Sequence, residues 1–339
     1  MTRSSVPPPV TQVMQEANAW LPARLAAVER RLGELTGGHG ALLAADAGAT
    51  LAAGGKRMRP LLVLLCAGSG SSDGAVRAAT AVELVHMATL VHDDVLDGAP
   101  LRRGHPTVAA RSGRDRAVAT GDLLFSRAFA ELGGGGSGRE VELLSSASVA
   151  LALGELAQRR DAFDTTISAR RYLERCVLKT ARLFECACLI GRVADGATAG
   201  NGGTRDAAGD SDRTGLGAFG RHIGLAFQLL DDVLDVTGPP ERTGKAIGTD
   251  LLDGTVTMPL ILARESDSSL GEIDLRRLDE GGAADVCRRI AATDALDRAR
   301  ELARARVAEA KQALVQSQIS SDDQRLLALV ADGVVERYS

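Results

Sequence analysis

Residues 76–97, VRAATAVELVHMATLVHDDVLD, run without Gly or Pro and end in a cluster of aspartates. Ser71, Ser72 and Asp73 offer caps just before the run. As a helix it extends about 33 Å, enough to cross a domain. Its last word, DDVLD at 93–97, returns at 231–235, where it closes a second helical segment, GLGAFGRHIGLAFQLLDDVLD. The glycines of that segment would let a neighbouring helix approach closely. In each word the first and last aspartates are four apart, so Asp93 and Asp97 share a helix face, as do Asp231 and Asp235. Like charges at that spacing repel, and an acidic cluster opposes the dipole at a helix C-terminus. An exposed acidic helix end would account for one copy. Two identical copies on apolar helices point instead to a cation site. A set of carboxylate oxygens suits Mg²⁺, which keeps several waters and is often shared with substrate phosphates.

The remaining composition sets the class. Of the 339 residues, 45% are hydrophobic but only 3% aromatic, and Ala and Leu are abundant. That balance favours an all-α fold. Residues 1–12 read as a disordered tail and 13–339 as one domain. The stretches 133–138, 194–212 and 265–272 read as surface loops, the second long enough to be mobile. A net charge of −4 argues against a nucleic-acid partner, which would need a basic face. No apolar run reaches bilayer-spanning length, and no signal-peptide pattern opens the chain. The five cysteines (Cys66, Cys176, Cys186, Cys188, Cys287) show no metal-ligand spacing and read as buried small hydrophobes. Their odd number fits a reducing cytoplasm, the expected location.

A diphosphate ligand also needs cations. GGKRMRP at 54–60 is a glycine-initiated basic turn in which Lys56, Arg57 and Arg59 could grip a phosphate. LRRGHPT at 101–107 sets Arg102 and Arg103 just past the first aspartates. His86 projects from the face of Asp93 two turns earlier, where spacing alone suggests a satisfied core histidine. Lys179 and Thr180 interrupt an apolar pattern, Gln228 stands one turn before Asp231, and Lys245 sits in a glycine-flanked loop. None of these four would be assigned a function in isolation.

Taken in order, GGKRMRP, HDDVLDGAPLRRGHPT, KTARLF, FQLLDDVLD and GKAIGTDLLDGTVTMPL resemble the trans-isoprenyl diphosphate synthase (polyprenyl synthetase) family, most of all its long-chain members, across residues 54–260. The resemblance implies a large helical bundle around a deep, mostly apolar cavity. It implies condensation of isopentenyl diphosphate with an allylic diphosphate, roughly two or three Mg²⁺ ions and a homodimer. Asp93, Asp97 and Asp231 would hold the metal, supported by Asp94 and Asp235, with Asp232 in the same catalytic cluster. Arg102, Lys179, Thr180, Gln228 and Lys245 would contact the allylic diphosphate. Lys56, Arg59, His86 and Arg103 would hold isopentenyl diphosphate, which reverses the core reading of His86. Many relatives carry a lysine where this chain has Thr255. The family stops chain growth with a bulky residue four or five positions before the first aspartate. Ala88 and Thr89 are small there, so a long product of about thirty to fifty carbons is expected. Met87, Phe125 or Phe129 could close the floor sooner. Release of so greasy a product would suit peripheral membrane contact. A short-chain synthase is the alternative. A terpene cyclase would lack the basic elements, and a non-catalytic regulatory subunit would lose the aspartates.

Overall fold

All of the 76–97 run but Asp97 lies within helix α5 (Asp73–Leu96), and the reason it is central is its composition: apolar or small residues face every direction. Ala75, Ala78, Ala79, Ala81, Val82, Leu84, Val85, Met87, Ala88 and Val91 are all buried. In the computed structural model, which describes residues 8–38, 40–70, 73–135, 137–196, 208–238, 247–317 and 319–336, α5 is enclosed by other helices. They include α2 (Leu21–Gly37), α4 (Met58–Ala67), α7 (Arg114–Gly133) and α10 (Arg182–Gly196). Contrary to the expectation that no run is long enough, α5 has the length and hydropathy to cross a membrane. Most of it is buried inside the protein, as befits the core helix of a bundle.

The N-terminal half continues with α1 (Pro8–Glu16), α3 (Gly40–Ala52), α6 (Val108–Ser112) and α8 (Gly138–Asp161). Among the described residues the only strands are β1 (Leu101–Arg102) and β2 (His105–Pro106), a short antiparallel hairpin just beyond α5. Ser137 and Glu140 form a capping box that starts α8 directly out of the glycine-rich loop. Then follow α9 (Ala169–Cys176), one π-helical turn (Val177–Ala181), α10 and α11 (Ala208–Thr237). The chain ends with α12 (Thr249–Leu252), α13 (Met258–Ser266), α14 (Glu280–Ala291), α15 (Ala295–Val315) and α16 (Ser321–Glu336). The second aspartate word sits in α11, two residues short of its end. A Cβ on Gly224 would lie 2.6 Å from the Ala181 Cα, so the glycine permits the tight approach of α11 to the π turn.

Two boundaries are corrected. Residues 8–12, read as tail, belong to α1, whose Val10 packs against Gly333 and whose Glu16 pairs with Arg325 at 2.9 Å. Residues 194–196 and 208–212, read as loop, complete α10 and begin α11. Residues 197–207 lie outside the described residues.

Candidate active site

Helices α5 and α11 carry their aspartate words to one cavity of about 250 Å³. Asp93 of α5 and Asp97 just past its end border it, as do Asp231 and Asp232 of α11. Lys179 and Thr180 enter from the π turn, a distortion that recurs at functional sites because it re-aims the side chains it carries. Gly154 of α8 makes room for that turn: a Cβ there would lie 2.5 Å from the Lys179 backbone nitrogen. Arg59, His86, Arg102 and Gln228 contribute to the polar lining, and Leu90, Leu151, Leu183 and Phe227 to the apolar one.

The aspartates divide by partner. Asp94, buried on another side of α5, accepts from Arg102 Nε at 2.7 Å. Asp97 pairs with Arg159, and Arg159 with Glu155 at 2.8 Å. Asp235 does not border the cavity. Its carboxylate accepts from the Asp250 backbone N–H at 3.2 Å, and its carbonyl from that of Gly248 at 3.0 Å, so it fastens the segment that follows α11. Burial lifts the Asp93 carboxyl to about 6; Lys179 opposes the shift, while Glu155 and Asp97 add to it. Burial lifts Asp232 further, to about 8, reinforced by the charge of Asp250. Two hydrogen bonds hold Asp232: one from the fully buried Tyr172 hydroxyl, one from Gln228 Nε2 at 2.8 Å. Thr180 donates to Gln228 Oε1 at 2.8 Å, tying the π turn to the second aspartate word. Lys179 Nζ meets Glu155 at 2.5 Å.

Arg59 and His86 also border a smaller adjoining cavity of about 90 Å³, with Lys56, Arg57 and Arg103. The basic turn is anchored by Arg57, which stands in the left-handed region (φ 47°) and grips Glu29 and, at 2.9 Å, the buried Glu83. Arg57 is therefore a structural clamp here. The Arg59 guanidinium lies 4.4 Å over the Phe184 ring, and burial pulls it down to about 10, against the pull of Glu83. Burial and the surrounding arginines hold His86 well below its usual range, so it is neutral at pH 7. Lys245 lies outside the described residues.

Sequence reasoning missed several participants, among them Glu83, Glu155, Tyr172, Asp250 and Asp253. Glu83, Glu155 and Tyr172 are single polar residues in amphipathic or apolar stretches and give no local signal. Asp250 and Asp253, three apart around α12, border the main cavity. They lie inside the quoted GKAIGTDLLDGTVTMPL segment, so their spacing was available to be read. Of the three proposed floor residues, Thr89 borders the cavity. Met87 and Ala88 are fully buried in helix packing and do not. Phe129 packs half-buried against the core, as does Phe125, which stacks on His92 at 5.9 Å.

The polyprenyl synthetase family model matches residues 41–284. The chain is 38% identical over 278 residues, 81% of its length and 83% of the relative's, to heptaprenyl diphosphate synthase component 2 of Geobacillus stearothermophilus. Its fold superposes with a TM-score of 0.87, at 34% identity and full coverage of both chains, on a polyprenyl synthase from Caulobacter crescentus solved with calcium and isoprenyl diphosphate. A decaprenyl diphosphate synthase from Rhodobacter capsulatus gives 0.83 at 30% identity, over 96% of this chain and 99% of that one. The family-model match, the sequence identity and the whole-chain fold leave one conclusion: this chain belongs to the polyprenyl synthetase family and is a prenyltransferase.

Proposed function

We propose that the chain extends an allylic diphosphate with isopentenyl diphosphate, head to tail, into a long all-trans polyprenyl diphosphate. The observation that carries this reading is the meeting of both aspartate words, Lys179 and Arg102 in one cavity that adjoins the Arg59 pocket. The heptaprenyl and decaprenyl products in the names of two relatives support the long-chain reading, as does the small Thr89 on the cavity wall.

The residues fit a divalent hard cation. Asp93, Asp97 and Asp231 offer carboxylate oxygens, and burial, with the charges of Glu155 and Asp97 beside it, raises the Asp93 carboxyl, a cost that a bound cation would relieve. Among the described residues no three acidic, His or Cys side chains form a ready-made cage, so a held ion would need oxygens from substrate phosphate as well. Bound Mg²⁺ supplies charge neutralisation at the departing diphosphate. Lys179 and Arg102 bind diphosphate oxygens where charge develops. Arg59, Lys56 and Arg103 hold isopentenyl diphosphate so that its double bond meets the allylic cation. Leu90, Leu151, Leu183 and Phe227 keep water from that cation. The proton lost after bond formation goes to the released diphosphate.

The same proposal includes a homodimer in the cytoplasm. Val149, Leu153 and Leu156 stand exposed at i, i+4 and i+7 on α8, an apolar stripe of the kind subunits bury. All five cysteines are free and buried, which fits a reducing compartment. The test is to incubate the purified chain with isopentenyl diphosphate, Mg²⁺ and farnesyl or geranylgeranyl diphosphate, and to size the products. A ladder reaching the heptaprenyl class supports the reading. A product stopping at geranylgeranyl length discards the long-chain part, and no turnover by the chain alone discards the self-sufficient enzyme.

A further inference from the structure

At the end of α5 remote from the aspartates lies a larger cavity, about 530 Å³, bordered by α2, the first turn of α5 and the last turns of α7. About 24 Å of helix axis separates Arg77 from Asp93, so this cleft is no part of the catalytic cavity. Arg30, Arg31, Arg77 and Arg127 border it, against Asp73, Glu34 and Glu131. The charges are unevenly engaged. Arg31 is committed to the acids: its Nε and Nη2 donate to the buried Glu131 at 2.9 and 2.8 Å, and its Nη1 to Glu34 at 3.0 Å. Arg77 is fixed through Nη2 to the Gly135 carbonyl at 2.8 Å, but its Nε is buried without a hydrogen bond, and so is that of Arg127.

Buried donors are nearly always satisfied, and a guanidinium shut off from water on one side remains under-solvated. Two such groups, on different helices and bordering one cavity, favour an acceptor anion at their open ends. The planar fork of arginine matches the oxygens of a phosphate better than any other common anion except carboxylate, and carboxylates are already present here. We propose that this cleft binds a phosphate-type oxyanion, held by Arg77 and Arg127 with Arg30 at the rim. Two sources share that chemistry: phosphate or diphosphate in solution, the latter a by-product of elongation, and the headgroup of an anionic phospholipid.

The full chain is tested by hydrogen exchange with inorganic phosphate and with diphosphate, and by co-sedimentation with phosphatidylglycerol or phosphatidylcholine vesicles. Anions also enter the catalytic cavity, so the readout is local, at amides 27–35 and 127–134. Protection there is expected in the natural chain and lost in Arg77→Gln/Arg127→Gln, with affinity falling on the order of tenfold per arginine and kcat unchanged. Arg30→Gln, at an exposed side chain, weakens binding without touching the core, and Glu34→Gln strengthens it. These two carry the test if the double variant does not fold. Protection by free anions assigns the soluble source. Sedimentation with phosphatidylglycerol alone, lost in the variants and without free-anion protection, assigns the lipid headgroup. The proposal is overturned if no anion or anionic vesicle acts at these segments, or if the variants respond as the natural chain does.

Discussion

Replacing Arg59 with methionine is expected to stabilise the ligand-free protein while crippling its use of isopentenyl diphosphate. Burial holds this guanidinium at about 10, well below the usual arginine range. A base whose folded pKa is depressed costs stability while protonated. The cost is complete below about pH 10 and fades only as pH climbs above it toward the usual arginine range, so all of it is present at pH 7. The shift corresponds to about 3 kcal/mol. Because the side chain borders an open cavity, solvent screening reduces this to about 2 kcal/mol. Methionine forfeits the guanidinium contact with Phe184, about 1 kcal/mol, and regains on the order of 0.5 kcal/mol through its sulfur. The ligand-free variant should therefore be about 1–2 kcal/mol more stable, raising Tm by roughly 2–6 °C. The substrate loses charge-assisted hydrogen bonds of about 1.5–3 kcal/mol, so KM for isopentenyl diphosphate should rise about ten- to a hundredfold. Thermal melts without ligand and initial rates with each substrate varied in turn make the measurement. A less stable variant, or an allylic KM rising in step with the isopentenyl one, would refute the reasoning that Arg59 is a strained group reserved for one substrate.

Tyr172→Phe removes one of two hydrogen bonds to the buried Asp232 and should cost about 1–3 kcal/mol in denaturant unfolding. It should also raise the Mg²⁺ concentration needed for half-maximal rate, because Asp231 is presented from the same turn; an unchanged Mg²⁺ dependence would remove Tyr172 from that role. Thr89→Phe should shorten the product without large loss of stability, since Thr89 borders the cavity. Ala88→Phe should instead cost about 1–3 kcal/mol, because Ala88 is fully enclosed; product sizing and melts on both variants separate the two effects. The Asp93 carboxyl, raised to about 6, binds a proton more readily folded than unfolded, so its burial cost to the metal-free fold grows as pH rises from about 4 to 6. Asp93→Asn should flatten that part of the stability profile. In the natural chain the apparent Mg²⁺ affinity should fall below pH 6, since the protonated carboxyl is a poor ligand; a flat Mg²⁺ affinity from pH 5 to 7 would contradict it.

The reaction class could be read from the chain because its chemistry lies in short words. Two copies of DDVLD, each ending an apolar run, are improbable as decoration, and the basic words flanking them supply the complementary charge. Helical class followed from composition and from the long run that became α5. What could not be read were partnerships between distant positions. Glu83 is one carboxylate in an apolar helix until Arg57, which precedes it by seven turns' worth of chain and a loop, is seen against it. Tyr172 holds an aspartate sixty positions away.

From the sequence alone came the two aspartate words, their helices and the cations that accompany them, because helical periodicity and charge spacing are local properties. Only the tertiary structure separated neighbours within a word. Asp93 faces the cavity while Asp94, about 100° round the same helix, is buried against Arg102. Asp231 and Asp232 reach the cavity while Asp235 fastens the next segment. The same packing enclosed Ala88, left Thr89 on the wall and brought Asp250 to the site. Which face of a helix meets solvent, cavity or core depends on what packs around it, and that is decided by the whole chain.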